Sequence, residues 1–595
     1  MNTLQSPRLP SLPEKTAVWG FFLLIIGLRA PEILINPRFW AEEGVLYFKY
    51  AYENSFLDSL WMVIGAGAGY LSLLVNIPIT VAAHWLPLEY APTVTTGFSL
   101  WVMLIPLWLI LTGRSVLWDS PEKRYVALAL IYLAPTSATP EIWLNTINLQ
   151  VYAGIISLSL LFEVPAQTRI RLWIYRSLLL LCGLTGPYTV FLSPVFFIKA
   201  LIERSREAFW QLGIVGLAST IQFSLFLYIK HSGALSGMKL GYFEIFKSAV
   251  YVVYYHVLTP LVGPEFLGTV AQKTLGVTTI EHAYREQGVW AGLSGPGILS
   301  LLLLVGLMVA LWRLKPVRTQ ALLLLAYACT SWLTTYGAIH GVPHNRYAVL
   351  AGLCLLLAML HTVTWPVKRW SSGLVVGLLG FSLFQGVLHY QNSPLFFRYV
   401  QGNQRWANEV AAWRHDPQHQ LRVWPNVPKP QWGFYLSDPQ LLQQTRLALA
   451  ASAEFTLYTS GADWAERRII VTGLPTDFFL RFTVHSDQAL SRYQGGVTLL
   501  DAQDQVCLRY PWPALSEKSA QESPETPFYL ASLRADWPIP PPFPNVVKPL
   551  GAHTCDLRQV RQIRWRLKTV DGSAARVQVQ QLTALPRQYY SVLHR

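Results

Sequence analysis

Apolar residues fill the first two-thirds of the chain in long blocks, and the last third alternates instead. Blocks close to the ~20 residues needed to cross a bilayer fall at about 16–36, 61–86, 91–112, 210–230, 296–313, 320–338, 347–364 and 371–391. Shorter or proline-interrupted blocks lie at 125–135, 148–163, 173–184 and 186–201. This pattern predicts a polytopic α-helical membrane bundle of about 11–13 transmembrane helices over residues 1–391. A mixed connecting region over 392–464 includes a predicted helix at 404–414. Over 465–595 the runs 468–472, 479–484, 496–500, 563–567 and 575–579 alternate with period two between Gly, Pro, Asp and Asn. They predict a mostly-β domain, a sandwich or jelly roll.

Composition sharpens the division. The chain is 52% hydrophobic and 13% charged, about half the charge of a soluble domain. A single soluble enzyme, a disordered scaffold and a coiled-coil rod are excluded. Charged residues number 42 among the first 391 and 38 among the last 204, which sets the boundary. Only Arg8 and Lys15 precede the first block and no small-residue cleavage site follows it, so a retained first helix is expected.

The net charge of +14 resides largely in short gaps at 113–124, 164–172, 202–207, 313–318 and 368–369. Basic short loops report a cytoplasmic side, so no nucleic-acid partner is expected and the lipid bilayer is. The gaps 37–60, 136–147, 231–295 and 340–346, with everything after 391, then face outward. A re-entrant segment within 61–112 would reconcile the count of crossings with this orientation. Cys507 and Cys555 are the cysteines of the outward head and a candidate disulfide.

The sharpest chemical signal is Arg38-Phe39-Trp40-Ala41-Glu42-Glu43-Gly44, directly after the first apolar block. Side-by-side carboxylates repel, which raises the apparent pKa of the pair and suits one member to accept a proton. A solvated loop whose acids stop the helix is the other reading. A second cluster, His340, His344 and Arg346, occupies an outward turn, where a guanidinium matches phosphate oxygens. A third lies in 136–150, where Glu141, Asn145 and Asn148 are unusually polar for their surroundings and Trp143 suits a sugar face or the interfacial belt. The segment 231–295 reads as a lid or a structural plug.

A first membrane helix, an acidic pair just after it, many further helices and an extracytoplasmic β-domain resemble the GT-C superfold of polyprenyl-phosphate-sugar-dependent glycosyltransferases. The resemblance implies that Glu43, ahead of Glu42, is the base that activates an acceptor hydroxyl. Arg346, His344 and His340 would hold the donor phosphate, and Arg38, Trp40, Glu141, Trp143, Asn145 and Asn148 would contact substrate. No cofactor is assigned; a divalent metal is the one the resemblance would admit, although no DxD-like element stands in a later outward loop. The implied partners are a polyprenyl-phosphate-linked sugar and an acceptor glycan or protein. The expected location is a bacterial inner membrane with a periplasmic head. A glycan polymerase or ligase using a lipid-linked oligosaccharide, a flippase or transporter, and a non-catalytic assembly subunit are the alternatives.

Overall fold

The computed structural model describes residues 10–63, 69–134, 140–166, 168–231, 245–275, 294–337, 346–365, 367, 369–390, 405–416, 419–425, 432–434, 436, 439–451, 454–460, 463–474, 478–486, 493–511, 528–531, 545–547, 559–571, 574–586 and 590–591. Helices follow the apolar blocks. α1 (Leu12–Arg29) starts at Ser11, whose backbone N–H donates to Glu14 at 2.6 Å and so satisfies a group a helix start leaves open. It buries one stripe, Phe22, Ile26 and Arg29, and exposes Phe21, Leu23, Leu24 and Leu28. There follow α2 (Leu73–Trp85), α3 (Ala91–Thr112), α4 (Pro121–Leu133), α5 (Leu149–Leu161), α6 (Arg169–Gly183), α7 (Ser193–Glu203) and α8 (Arg206–His231). After short helices over 245–275 come α9 (Ser294–Leu314), α10 (Arg318–Gly337), α11 (Arg346–Thr362) and α12 (Trp370–Leu388). Of the expected lid residues, Glu281, His282, Arg285 and Glu286 lie outside the described residues.

Four helical stretches are long and apolar enough to cross a membrane: Leu88–Thr112, Arg206–Ile229, Gly297–Leu314 and Trp370–Leu388. Among the described residues four qualify by length and composition together, against an expectation of about 11–13 crossings, and shorter apolar helices stand between them. The block expected at 61–86 is not one helix. Met62–Val63 is extended and α2 begins at Leu73. Asn76 Nδ2 donates to Leu60 O at 3.0 Å and Met62 O at 2.8 Å, which fastens the incoming chain beside α2 instead of ahead of it. A helix of that length reaches about 20 Å, short of a ~30 Å hydrocarbon layer.

The two ends of the helical region differ in charge. At one end the basic loops meet. Arg171 donates to Thr112 Oγ1 at 2.9 Å, Glu163 accepts from the Arg114 N–H at 2.7 Å, and Lys123 and Lys315 share Asp119 at 3.0 and 4.0 Å. At the other end the acidic turn after α1, the turn 140–148 and the start of α11 come together.

The connecting region docks on that second end. α13 (Trp406–His415) and the short pair Leu421–Arg422/Gly433–Phe434 share one core with the turn after α1, through Phe39, Phe48, Trp406, Val423 and Phe434. Gly44 is required there, since a Cβ would lie 2.8–2.9 Å from Val423, Phe39 and Phe434. α14 (Pro439–Ala450) leads into a two-sheet sandwich.

Its strands are β1 (Phe455–Ser460), β2 (Ala465–Ile470), β3 (Phe478–Ser486), β4 (Tyr493–Leu500), β5 (Val506–Pro511), β6 (Phe528–Ala531), β7 (Asn545–Val547), β8 (Gln562–Thr569) and β9 (Ala574–Pro586). One sheet runs β7-β6-β3-β9-β1 and the other β2-β8-β4-β5. β8 shows why: Ile563, Trp565 and Leu567 point inward and Gln562, Arg564, Arg566 and Lys568 outward. Trp565 fills the core edge-on to Phe482 at 4.7 Å and Phe455 at 5.4 Å. The first strand starts at Phe455, ahead of the boundary expected at 465. Cys507 is disulfide-bonded; its expected partner Cys555 lies outside the described residues.

Candidate functional site

The turn after α1 sends its two acids apart. Ala41 adopts φ +41°, a left-handed conformation rare without glycine, and Glu43–Phe48 then winds as a π-helix. Consecutive side chains on a helical turn diverge by about a quarter turn or more, so the pair does not present one face.

Glu43 points inward and is buried. One carboxylate oxygen accepts from the Trp40 N–H at 2.8 Å; the other accepts from the Thr146 N–H at 2.9 Å and the Thr146 hydroxyl at 2.5 Å. Thr95 adds a further side-chain hydrogen bond. Burial pushes its pKa up, and the hydrogen bonds from Thr146, Trp40 and Thr95 pull against that shift. Glu43 is therefore a staple between the turn after α1 and the turn 140–148, and its acceptor sites are already engaged. The expectation that ranks it ahead of Glu42 as base meets a carboxylate committed to its own fold.

Glu42 is half-buried and faces a different set of groups. Its charge acts on Arg346, Tyr47 and Tyr70. Arg346, at the head of α11, reaches Glu141 with Nη1 at 3.4 Å and donates from Nη2 to the Tyr347 hydroxyl at 3.3 Å. The Tyr188 hydroxyl donates to the Arg346 carbonyl at 3.1 Å. The structure thus brings together two carboxylates, one guanidinium and the phenols of Tyr47, Tyr70, Tyr188 and Tyr347. Gln150 hydrogen-bonds Tyr70. Gly186, at φ +69°, holds it there, because a Cβ would lie 2.5 Å from Gln150 Oε1.

Asn145 and Asn148 build the turn. Asn145 Nδ2 donates to the Glu141 carbonyl at 2.6 Å, its Oδ1 accepts from the Asn148 N–H at 3.2 Å, and Asn148 Nδ2 also donates to the Glu141 carbonyl. Leu144, the residue before Asn145, takes φ +51°. Two left-handed non-glycine residues thus flank the Glu43–Thr146 contact, the kind of backbone strain that persists where surrounding structure over-determines it.

Three residues expected to contact substrate are buried. Trp143 is fully buried, donates from Nε1 to the Ile26 carbonyl at 3.1 Å, and lies 4.2 Å from the Arg29 guanidinium. Trp40 is buried where the backbone of Phe39–Ala41 pairs with Trp424. Arg38 donates to the Arg422 carbonyl at 2.9 Å and pairs with Glu409 at 3.5 Å, while His419 approaches the other Glu409 oxygen at 2.8 Å. Fully enclosed, Arg38 anchors the connecting region. His340 and His344 lie outside the described residues.

Sequence reasoning passed over Thr146, Tyr47, Tyr70, Tyr188 and Tyr347. Thr146 and Tyr347 stood next to residues it singled out, so neighbours of a polar turn were the available signal. Among the described residues no three His, Cys, Asp or Glu side chains converge as metal ligands. No protein-family model, curated protein or solved structure matches the chain. The cluster's own chemistry is a carboxylate able to take a proton beside a cation able to receive an anion.

Proposed function

We propose that the chain is an integral-membrane glycosyltransferase of the GT-C kind. It would move a sugar from a polyprenyl-phosphate donor to an acceptor hydroxyl at the outward end of the bundle. The observation that carries this reading is the convergence of Glu42, Arg346 and Glu141 from three separated turns. Glu42 takes the acceptor proton, the freed oxygen bonds to the anomeric carbon, and the bond from that carbon to the phosphate oxygen breaks, with inversion. Arg346 receives the departing polyprenyl phosphate and Glu141 holds Arg346.

The charges change in step. Before reaction Arg346 is shared by two carboxylates. Once Glu42 is protonated its claim on the cation is gone, at the moment negative charge builds on the leaving phosphate. An interaction that strengthens in the transition state lowers the barrier. Glu43 positions the turn and carries no proton in this scheme.

The apolar outer faces of α1, α8, α9 and α12, including Leu24, Phe223, Leu302 and Phe384, support burial in a bilayer and donor entry from the lipid side. The basic end would be cytoplasmic, and the acid cluster and sandwich periplasmic.

The test adds labelled polyprenyl-phosphate sugar to purified protein and follows loss of donor. Glu42→Gln and Arg346→Ala are expected to lose turnover, Arg346→Ala by about 10²–10³ as for removal of one transition-state donor. Full turnover in Glu42→Gln would end the base assignment. No turnover with any donor would end the transferase reading in favour of transport, and turnover only with oligosaccharide carriers would make the chain a polymerase or ligase.

A further inference from the structure

The two faces of the β-sandwich are unlike. On the outer face of the sheet β2-β8-β4-β5, strand register sets Arg468 opposite Arg564, Arg564 opposite Thr498, and Thr498 opposite Arg509. Along β8 the same face carries Arg564, Arg566 and Lys568 at every second position, a spacing of about 7 Å. Arg566 and Lys568 lie over the Trp464 ring, at 4.4 and 4.9 Å from its centroid.

Two acids answer these five cations. Glu466 pairs with Arg468 at 2.6 Å and with Arg566 at 3.8 Å, and Asp504 pairs with Arg468 at 3.3 Å. Among the described residues no carboxylate pairs with Arg564, Lys568 or Arg509. Like charges directly opposite on neighbouring strands destabilise a sheet, so the Arg468–Arg564 pair weakens this fold on its own. The opposite face, on β9 and β1, carries Thr456, Tyr458, Gln578 and Gln580, with Arg576 as the arginine among its described side chains. Solubility alone would not sort the cations to one side.

We infer that the Arg468–Arg564–Arg566–Lys568–Arg509 face binds a linear, carboxylate-bearing polysaccharide. Three of the five cations, Arg564, Arg566 and Lys568, follow one strand, as the charges of a linear polymer would. Gln494 and Gln562 on the same face offer amides to sugar hydroxyls. The Trp464 ring is roofed by two cations instead of standing free to enter a bilayer, which favours a soluble polyanion over an anionic membrane surface. This inference stands apart from the transferase reading, because binding is measured without turnover.

The experiment uses the full chain in nanodiscs of zwitterionic lipid and fluorescent polygalacturonate as probe, with neutral dextran as the comparison. Wild type is expected to bind polygalacturonate but not dextran, and more weakly as salt rises. Replacing three exposed charges, Arg564→Gln with Arg566→Gln and Lys568→Gln, should weaken binding about tenfold. Arg576→Gln should change it less than about twofold, and the triple variant should remain folded, with a cooperative thermal transition. Equal binding by the triple variant, or equal binding of dextran, would overturn the inference. So would capture by phosphatidylglycerol vesicles, lost in the triple variant, without any binding of polygalacturonate.

Discussion

Two buried glutamates stand at opposite ends of the helical region, and their surroundings separate structure from chemistry. Glu43, at the end with the acidic turn, receives two backbone N–H groups and a threonine hydroxyl, with the next residue back, Glu42, left to face Arg346. Glu163, at the end with the basic loops, receives the Arg114 N–H at 2.7 Å and the Tyr175 hydroxyl at 3.2 Å, with Arg171 and Arg124 close by. Burial pushes both carboxyls up, Glu163 to about 7. Each ties two turns together, Glu43 joining the acidic turn to 140–148 and Glu163 joining the loop after α3 to the loop after α5. A perturbed carboxyl is thus shared by both ends. What the end with the acidic turn adds is a half-buried acid beside a cation, and the proposed function rests on that difference.

The comparison breaks most easily at Glu42. Glu42→Gln should cut donor turnover by about 10²–10⁴, the usual contribution of general-base catalysis, whereas Glu163→Gln should leave it within about threefold. Equal losses in the donor assay would erase the distinction between the ends. The second effect is on stability. In Glu43→Gln the amide NH₂ must face either the Trp40 N–H or the Thr146 donors, leaving a buried donor unpaired at a cost of about 1–3 kcal/mol. Thermal unfolding in detergent should show a lowered midpoint for Glu43→Gln and an unchanged one for Glu42→Gln; the reverse order would exchange their roles.

The smallest effect is a pH dependence at the end with the basic loops. The folded pKa of Glu163, about 7, lies above its ordinary 4.5, so between those values the folded chain holds more proton than the unfolded chain. Stability from this group is full below about 4.5 and is lost as pH rises through about 7. The wild-type midpoint should therefore fall between pH 5 and 8 by more than that of Glu163→Gln, and parallel curves would show that Glu163 does not titrate there.

Local periodicity made much of the scaffold legible. The alternation of β8 and the apolar block of α3 needed no distant partner to be read. Asn76 shows the limit: its polarity marked an irregular segment, but its bonds to Leu60 and Met62 decide where the helix begins. The acidic turn was legible as a candidate site, and its internal division was not. Adjacency implied mutual repulsion, while the backbone turn sends one carboxylate toward Thr146 and the other toward Arg346. The burial of Arg38, Trp40 and Trp143 was not legible for a related reason. An arginine or tryptophan at an apolar boundary fits the lipid interface and the core equally well, and Glu409, Trp424 and Ile26, which settle the matter, come from remote parts of the chain.

The enclosure of Arg38 bears on biogenesis. Glu409 and the Arg422 carbonyl leave the ribosome well after Arg38, roughly 20–75 s later at ordinary elongation rates. Throughout that interval the guanidinium has neither of these neighbours and the aromatic shelf of Trp406 and Trp424 does not yet exist. The acidic turn therefore matures late, and a nascent chain stopped short of residue 405 would carry its glutamates in a setting that has still to be built.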